Sequence, residues 1–263
     1  MAQSPLTPLQ VVQRAAARAV QDDAALENYA YHQRDILSTL NRSGKPPSVR
    51  EDETEAVSEV DGIEYDRVIA RDGKSLTPKD AAREQRKAAE FIRKHSGAEA
   101  REKALAKQAK EQKQQAELIA AIPTAFTLAF ASPATANPCN CYVVVLTPRP
   151  GIHTGGKNLK TLRHVAATAW VDRSDFSTHR IEIHVLKPMN AGSFLMRMEP
   201  GSTVTMENEN VDGHWFEKSV EAAITARVFL VKQYHVLFDE TCGDYRKFSV
   251  STKVMTGKVA GRH

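Results

Sequence analysis

The sequence predicts an α+β fold: one curved antiparallel sheet, an unclosed β-barrel of about 9–11 strands, with an N-terminal helix and a two-helix lid inserted after the third strand. Three observations predict it. Segments of alternating hydrophobicity follow one another from residue 125 to residue 251 with only short turns between them, and short turns join antiparallel strands. Apolar residues recur at helical spacing near the N-terminus. A charged, alanine-rich segment over residues 78–121 also has helical periodicity.

Composition limits the class of protein. Of the 263 residues, 41% are hydrophobic and 26% are charged, which excludes a disordered chain, a collagen and a small disulfide scaffold. We expect a single domain over residues 1–263, because the alternating segments run on without a break. The formal net charge is only +4, so no nucleic-acid partner is predicted.

The first element is a helix over about residues 8–28. Thr7 supplies an N-cap and Pro8 suits the first helical position. Extended segments follow at residues 29–40, 49–60 and 63–70, and the pair Asp61-Gly62 is a hairpin signal between the last two. The stretch 51–66 is acidic, and we interpret it as a solvated strand face.

The helical pair is expected at about residues 78–94 and 98–121, divided near Gly97. Between residues 79 and 117, eleven Lys and Arg residues face seven Asp and Glu residues, a surplus equal to that of the whole chain. The apolar positions of both helices are mostly alanine, so each helix can bury only a thin stripe. This pair is therefore predicted to be the least stable part of the molecule. A basic helix can contact an anionic surface, although a solvated helix face is the commoner role.

The main core is predicted in the C-terminal half, because thirteen of the seventeen aromatic residues lie beyond residue 125. Residues 118–148 carry no Asp, Glu, Lys or Arg, but three prolines interrupt them, so they indicate a buried part of the fold and not a membrane span. Inward-facing rows are expected on several strands. Five of their members are predicted to line an apolar cavity between sheet and helices: Phe126, Phe130, Phe194, Met196 and Met198. The alternative is a packed core in which these side chains contact only one another and the helices.

Catalytic and metal-binding patterns are absent from the sequence. It contains no nucleophile elbow, zinc-protease motif, P-loop or dinucleotide fingerprint. His179 and His184 fall on opposite faces of a strand, so they are not expected to bind the same metal ion. A ligand set drawn from four scattered histidines is not favoured: His164, His184, His214 and His235. The sequence therefore predicts no enzyme, no cofactor and no metal.

Three cysteines leave the disulfide state open. Cys139 and Cys141 are too close in sequence for an ordinary mutual disulfide, and one of them could bridge to Cys242. The favoured interpretation is that all three are small, buried strand residues.

A family resemblance is carried by several short segments. They are Tyr29-x-Tyr31, the run Tyr65-Asp-Arg-Val-Ile-Ala-Arg-Asp-Gly-Lys-Ser-Leu, Thr147-Pro-Arg-Pro-Gly, Trp170-Val-Asp172 followed by His179-Arg-Ile-Glu-Ile-His, and Asp244-Tyr-Arg-Lys-Phe-Ser-Val-Ser. Together they resemble a group of exported bacterial proteins related to the outer-membrane lipoprotein carriers, the LolA/LolB-like superfamily. The resemblance implies an unclosed β-barrel with a helical lid over an apolar cavity and a carrier or sensor role without chemistry. It also implies a periplasmic location, with a signal peptide already removed, since the residues after Met1 form no export signal.

Two functions of different class follow. The first is a carrier that binds lipid, acyl chains, a lipidated protein or other apolar cargo and is at most peripheral to the membrane. The second is an envelope interaction protein whose basic helical hairpin docks a protein partner or an anionic surface. A hairpin that closes over the sheet favours the first, and a hairpin that projects away from it favours the second.

Overall fold

A computed structural model describes residues 5–40, 47–132, 139–151, 158–190, 196–228 and 232–248. Three α-helices are present in these ranges: α1 (Pro8–Leu26), α2 (Pro78–His95) and α3 (Ala98–Ala125), together with a 3-10 helix at Asn158–His164. The strands are β1 (Tyr29–Thr39), β2 (Ser48–Val60), β3 (Ile63–Arg71), β4 (Lys74–Ser75), β5 (Phe126–Phe130), β6 (Cys141–Pro148), β7 (Val165–Asp172), β8 (Thr178–Val185), β9 (Met189–Asn190), β10 (Met196–Met198), β11 (Thr203–Val211), β12 (His214–Val228) and β13 (Lys232–Lys247).

All of these strands belong to one antiparallel sheet. Its order is β4-β3-β2-β1-β13-β12-β11-β8-β7-β6-β5, with β10 paired to β12 and β9 paired to β10. In the described part of the chain the outermost strands, β4 and β5, do not pair with each other, so the sheet is not closed. Three strands have only two or three residues, which leaves ten longer ones. The predicted unclosed antiparallel sheet with helices is confirmed.

Helix α1 begins where its capping residues place it. The Thr7 side chain accepts a hydrogen bond from the Gln10 backbone N–H, and Oε1 of Gln10 accepts one from the Thr7 backbone N–H, which forms a capping box. One face of α1 buries Val11, Val12 and Ala15 in the main core. Helix α3 contributes its last residue, Ala125, and the sheet contributes four buried residues to this core: Phe126, Val144, Leu146 and Val171.

Helices α2 and α3 form the predicted hairpin, and α3 extends four residues beyond the predicted end at 121. Pro123 lies inside its last turns, and the helix continues past it while Ile122 and Ala125 pack into the core below α1. Little else of the hairpin is buried. On α2 the buried side chain is that of Glu84, whose carboxylate pairs with Lys87 at 2.8 Å and lies 3.9 Å from Arg71 of β3. None of the described helices is long and apolar enough to span a bilayer.

Hydrogen exchange is expected to be faster in α2 and the first half of α3 than in β11 and β12. The hairpin has few buried apolar contacts to hold it down, whereas each central strand is hydrogen-bonded on both sides. Exchange followed by mass spectrometry measures this, with the α1 peptides as an internal reference for a well-packed helix. Protection in α2 equal to that in β12 would contradict the expectation.

Candidate functional site

One face of the sheet carries two rows of residues that cross it from strand to strand. The first row runs through Phe130, Val144, Ala169, Ile181, Met206, Val220, Glu240, Asp35, Glu53 and Arg71, each opposite the next in the register. The second runs through Leu128, Leu146, Ala167, Ile183, Val204, Ala222, Phe238, Leu37 and Glu51. Val144 and Leu146 lie in the core under α1, so both rows face the helices. We call this face the trough.

Burial decreases along the trough. At the β6 end of the second row, Leu146 lies beneath α1 and is only 6% exposed. Farther along, Ile183, Val204 and Phe238 are only half-buried although they are apolar and sit on interior strands. The helices therefore cover one end of the trough and leave its middle partly open.

Helix α3 spans the trough lengthwise. Leu105 lies against the turn between β2 and β3 at Gly62, and Gln112 donates a hydrogen bond to Glu27 just after α1 at 3.1 Å. Ile122 packs on the core at the opposite side of the sheet. The 17 residue steps from Leu105 to Ile122 correspond to about 26 Å along the helix axis, so α3 reaches over several strands. The hairpin thus lies over the sheet and does not project away from it.

The far end of the trough is acidic. Burial, and then the neighbouring Glu217, raise the pKa of Glu240 to about 8. Burial also raises the pKa of Asp35 and of Glu55, and nearby carboxylates add to the effect at Glu55. Arg71 is the counter-ion at the outer edge, where its Nε donates a hydrogen bond to Glu53.

These contacts correct the interpretation of residues 51–66 as a solvated face. Asp52, Glu53 and Glu55 are half-buried, whereas Glu64 and Asp66 are exposed. Asp52 accepts hydrogen bonds from the Arg34 guanidinium at 2.8 and 2.9 Å, which holds the pKa of that carboxyl below its usual range. The sequence pattern did not indicate this because Arg34 lies on a neighbouring strand and pairs only across the sheet.

Among the residues that the structure describes, two groups of side chains bring possible metal-ligand atoms within 4.8 Å of one another: Glu217, Glu240 and Cys242, and Cys139, Cys141 and His179. In the first group, burial and both carboxylates raise the pKa of the Cys242 thiol, so the sulfur stays protonated and is a poor ligand. In the second group the two sulfurs are joined in a disulfide.

That disulfide corrects the cysteine interpretation. Cys139 and Cys141 are bonded to each other, and Cys242 is free. A mutual bond is feasible because the chain bends at Cys139 and Asn140, just before β6, which brings the two Cα atoms to 5.2 Å. A regular strand over both residues, as predicted, would hold them farther apart.

The five residues predicted to line a cavity do not all lie together in the structure, and the burial of the described ones differs. Phe126 is 2% exposed in the core under α1, and Phe130 is 43% exposed on β5, where it stacks on Tyr142. Met198 is half-buried on β10 opposite Ala226. Phe194 and the side chain of Met196 lie outside the described residues. Five strand spacings separate β5 from β12, about 24 Å along the sheet, so Phe130 and Met198 mark opposite parts of it.

The four histidines considered as a ligand set lie apart. His164 contacts the Pro188 carbonyl oxygen at 2.8 Å, His214 contacts Asp22 at 3.2 Å, and His235 contacts the Thr225 hydroxyl at 3.1 Å. His184 is exposed.

No protein-family model matches the chain, and no curated protein matches it. Among solved structures it is similar to a LolA superfamily protein from Nitrosomonas europaea, at 9% identity over 96% of this chain and 99% of that one, with a TM-score of 0.34. A DUF1329 family protein from Desulfovibrio piger has 10% identity over 92% and 94% of the two chains and a TM-score of 0.36. MucB, determined in complex with MucA(peri), has 9% identity over 89% and 99%, with a TM-score of 0.21.

Likenesses with TM-scores this low carry no inference about the family or the function of this chain.

Proposed function

We propose that this protein is a non-catalytic carrier that binds a lipid, an acyl chain or another apolar cargo in the trough. One observation carries the proposal: the second row is apolar on every strand from β6 to β1, yet its large central members Ile183, Val204 and Phe238 are half-buried, and only the small Ala222 between them is buried. A row of this kind on interior strands either packs against a layer of the protein or receives something else. Here the covering helices present mainly alanine and long polar side chains, which fill it poorly.

The expected affinity is modest. Each methylene buried against Ile183, Val204 and Phe238 contributes about 0.8 kcal/mol, so ten of them contribute about 8 kcal/mol. Loss of translational and conformational freedom on association offsets much of this gain. Dissociation constants in the micromolar range or weaker follow, which suits a protein that must also release its cargo.

The acidic end orients the cargo. Glu240, Asp35 and Glu53 continue the first row beyond Val220, so a molecule lying along the row has its apolar part over β8 and β11 and its head near carboxylates. Because its pKa is raised to about 8, Glu240 is ionised only at high pH, and there a negatively charged head would be repelled. The cargo class proposed is therefore an amphiphile with a neutral or cationic head.

Phe130 and Met198 are proposed to contact the cargo at the borders of this trough. Phe130 begins the first row, and Met198 lies opposite Ala226, which is on the trough face of β12. The proposal places the protein in the periplasm, where a disulfide such as Cys139–Cys141 persists. Its partners there would be a lipid or a lipidated protein and the envelope proteins that deliver or accept it.

Fluorescence titration with the neutral apolar probe N-phenyl-1-naphthylamine tests the proposal. Val204→Lys, on the trough face, is expected to weaken probe binding at least tenfold. The matched control is Thr205→Lys, because Thr205 is the next residue on β11 and points to the opposite face. If the lysine at residue 204 prevents folding, Val204→Thr changes only the polarity of the side chain at nearly the same volume.

Competition with twelve-carbon amphiphiles tests the orientation. Dodecyltrimethylammonium is expected to displace the probe at lower concentration than dodecyl sulfate does. Absence of probe binding by the parent protein, or equal binding by the Val204 and Thr205 variants, would overturn the carrier proposal.

A second candidate function rests on a basic stripe along α3. Lys103, Lys107 and Lys110 are exposed and recur at helical spacing on one face of α3. Such a stripe fits docking to an anionic membrane surface or an acidic protein. Co-sedimentation with phosphatidylglycerol vesicles tests it: salt-sensitive binding that Lys107→Glu with Lys110→Glu abolishes would support docking, and unchanged binding would exclude this stripe.

A further inference from the structure

The Cys139–Cys141 disulfide lies on the side of the sheet opposite the trough. Cys141 and Val143 alternate with Val144, so they face away from α1, and with Trp170 they form a small separate buried cluster. Cys141 is fully buried, whereas Cys139 is half-buried and is the sulfur that a reactant from solution can approach. This site is independent of the trough and of its proposed function.

A histidine and a carboxylate flank the disulfide. One ring nitrogen of His179 and the two sulfurs all lie within 4.8 Å of one another. Nε2 of His179 is shielded from solvent, has no hydrogen-bond partner in the described part of the chain, and lies 3.4 Å from Oδ2 of Asp172. The ring is held in place by stacking on Trp215 at 4.0 Å between centroids.

Asp172 is suited to remain ionised beside this histidine. Burial tends to raise its pKa, but hydrogen bonds from the side chain and backbone of Ser174 outweigh that effect and lower the pKa overall. Its Oδ2, 3.4 Å from Nε2 of His179, helps to hold the imidazole in place beside the disulfide. A cationic ring beside a disulfide stabilises the thiolate that forms when the bond opens.

We infer that Cys139 and Cys141 form a dithiol–disulfide couple that exchanges with the dithiol of a second protein, with His179 as the proton donor. The incoming thiolate attacks Sγ of Cys139, the bond between the two sulfurs breaks, and Cys141 leaves with the electron pair and takes the proton of the His179 imidazolium. The partner's second thiolate then attacks its own sulfur in the mixed disulfide and releases Cys139. Cys139 leaves as a thiolate and takes a proton from solvent, and His179 regains its proton from solvent as well. The partner dithiol is oxidised to a disulfide, and this chain is reduced by two electrons and gains two protons.

The surroundings explain why a proton donor is needed. Cys141 leaves into the apolar cluster with Val143 and Trp170, where an unprotonated thiolate would be poorly solvated. Proton transfer in the same step removes that cost. Cys242 takes no part, because it lies on β13 and burial raises the pKa of its thiol.

Reduction by dithiothreitol tests the inference, in full-length protein carrying Cys242→Ser. Tryptophan fluorescence is expected to report the reaction, since Trp170 packs beside the disulfide, and maleimide mass labelling counts the thiols formed. The expected result is reduction faster than that of oxidised glutathione at the same pH, reversed in an oxidising glutathione buffer. His179→Gln is expected to slow reduction at least tenfold.

Two further variants complete the test. His184→Gln changes an exposed histidine on the same strand and is expected to leave the rate unchanged. Asp172→Asn is expected to slow reduction although His179 is retained. If the His179→Gln variant does not fold, Asp172→Asn is used in its place. A rate no faster than that of oxidised glutathione and insensitive to His179 would overturn the inference. If the reduced protein binds one Zn²⁺ and is then not reoxidised, the site is a metal site and the inference of a dithiol–disulfide couple is wrong.

Discussion

Replacing Phe126 by alanine is expected to lower the free energy of unfolding by about 3 to 5 kcal/mol, the range for a fully buried phenylalanine. The side chain is 2% exposed and packs in the cluster that joins α1 to β5, β6 and β7. For a chain of this size the loss corresponds to a fall in Tm of about 6 to 20 °C. Differential scanning calorimetry or urea unfolding measures it.

Phe130→Ala is the matched control for this experiment. Phe130 lies on the same strand but is 43% exposed, so its removal is expected to cost about 1 kcal/mol, mainly its stacking on Tyr142. The pair also separates the two roles considered for Phe126. A small loss of stability together with lost probe binding would make Phe126 a cavity wall and would contradict its role in the packed core.

Raising the pH from about 5 to about 9 is expected to destabilise the protein, and Glu240→Gln is expected to remove much of that effect. In the folded state the pKa of Glu240 is raised from its ordinary 4.5 to about 8 by burial and by Glu217. The folded state therefore binds a proton more tightly than the unfolded chain does. The stabilisation that Glu240 contributes is complete below its pKa in the unfolded chain, about 4.5. It is lost as the pH rises from about 4.5 towards 8.

The size of this effect follows from partial burial. Because Glu240 is half-buried, solvent screening reduces the contribution to roughly 1 to 2 kcal/mol at pH 9. Thermal unfolding at several pH values measures it, with Glu221→Gln as the control, since Glu221 is exposed on β12. Equal pH profiles for Glu240→Gln and the parent protein would show that Glu240 titrates normally. Asp35 and Glu55, whose pKa values are also raised, account for the slope expected to remain.

The strands and helices were predictable because their signals are local. Alternation between Ile181 and Val185, or the cap at Thr77 before α2, is contained in a few consecutive residues. The predicted bounds accordingly agree with the structure to within a few residues. The end of α3 is the largest difference, because packing of Ile122 and Ala125 under α1 extends a helix that Pro123 alone would be expected to stop.

The trough was not predictable in the same way, because it depends on the register between strands that are distant in sequence. Asp35 lies beside Glu240 only because β1 pairs with β13, more than 200 residues later. His179 reaches the disulfide because β6, β7 and β8 are neighbours and the chain bends before Cys141. The predicted cavity residues were chosen by hydrophobicity on each strand alone, which does not show how far apart β5 and β10 lie.

The two outermost strands determine how the protein behaves at high concentration. An open sheet exposes the backbone groups of its first and last strands, and these can add a strand from another molecule. Here β5 offers only five residues and follows directly from α3. At the other margin β4 pairs only with Ala70 and Arg71 of β3, and the rest of β3 lies beside α2, where Tyr65 packs on Phe91. A short edge strand on one side and a helix beside the other edge both disfavour edge-to-edge growth, so this open sheet gains some of the resistance to aggregation that a closed barrel has.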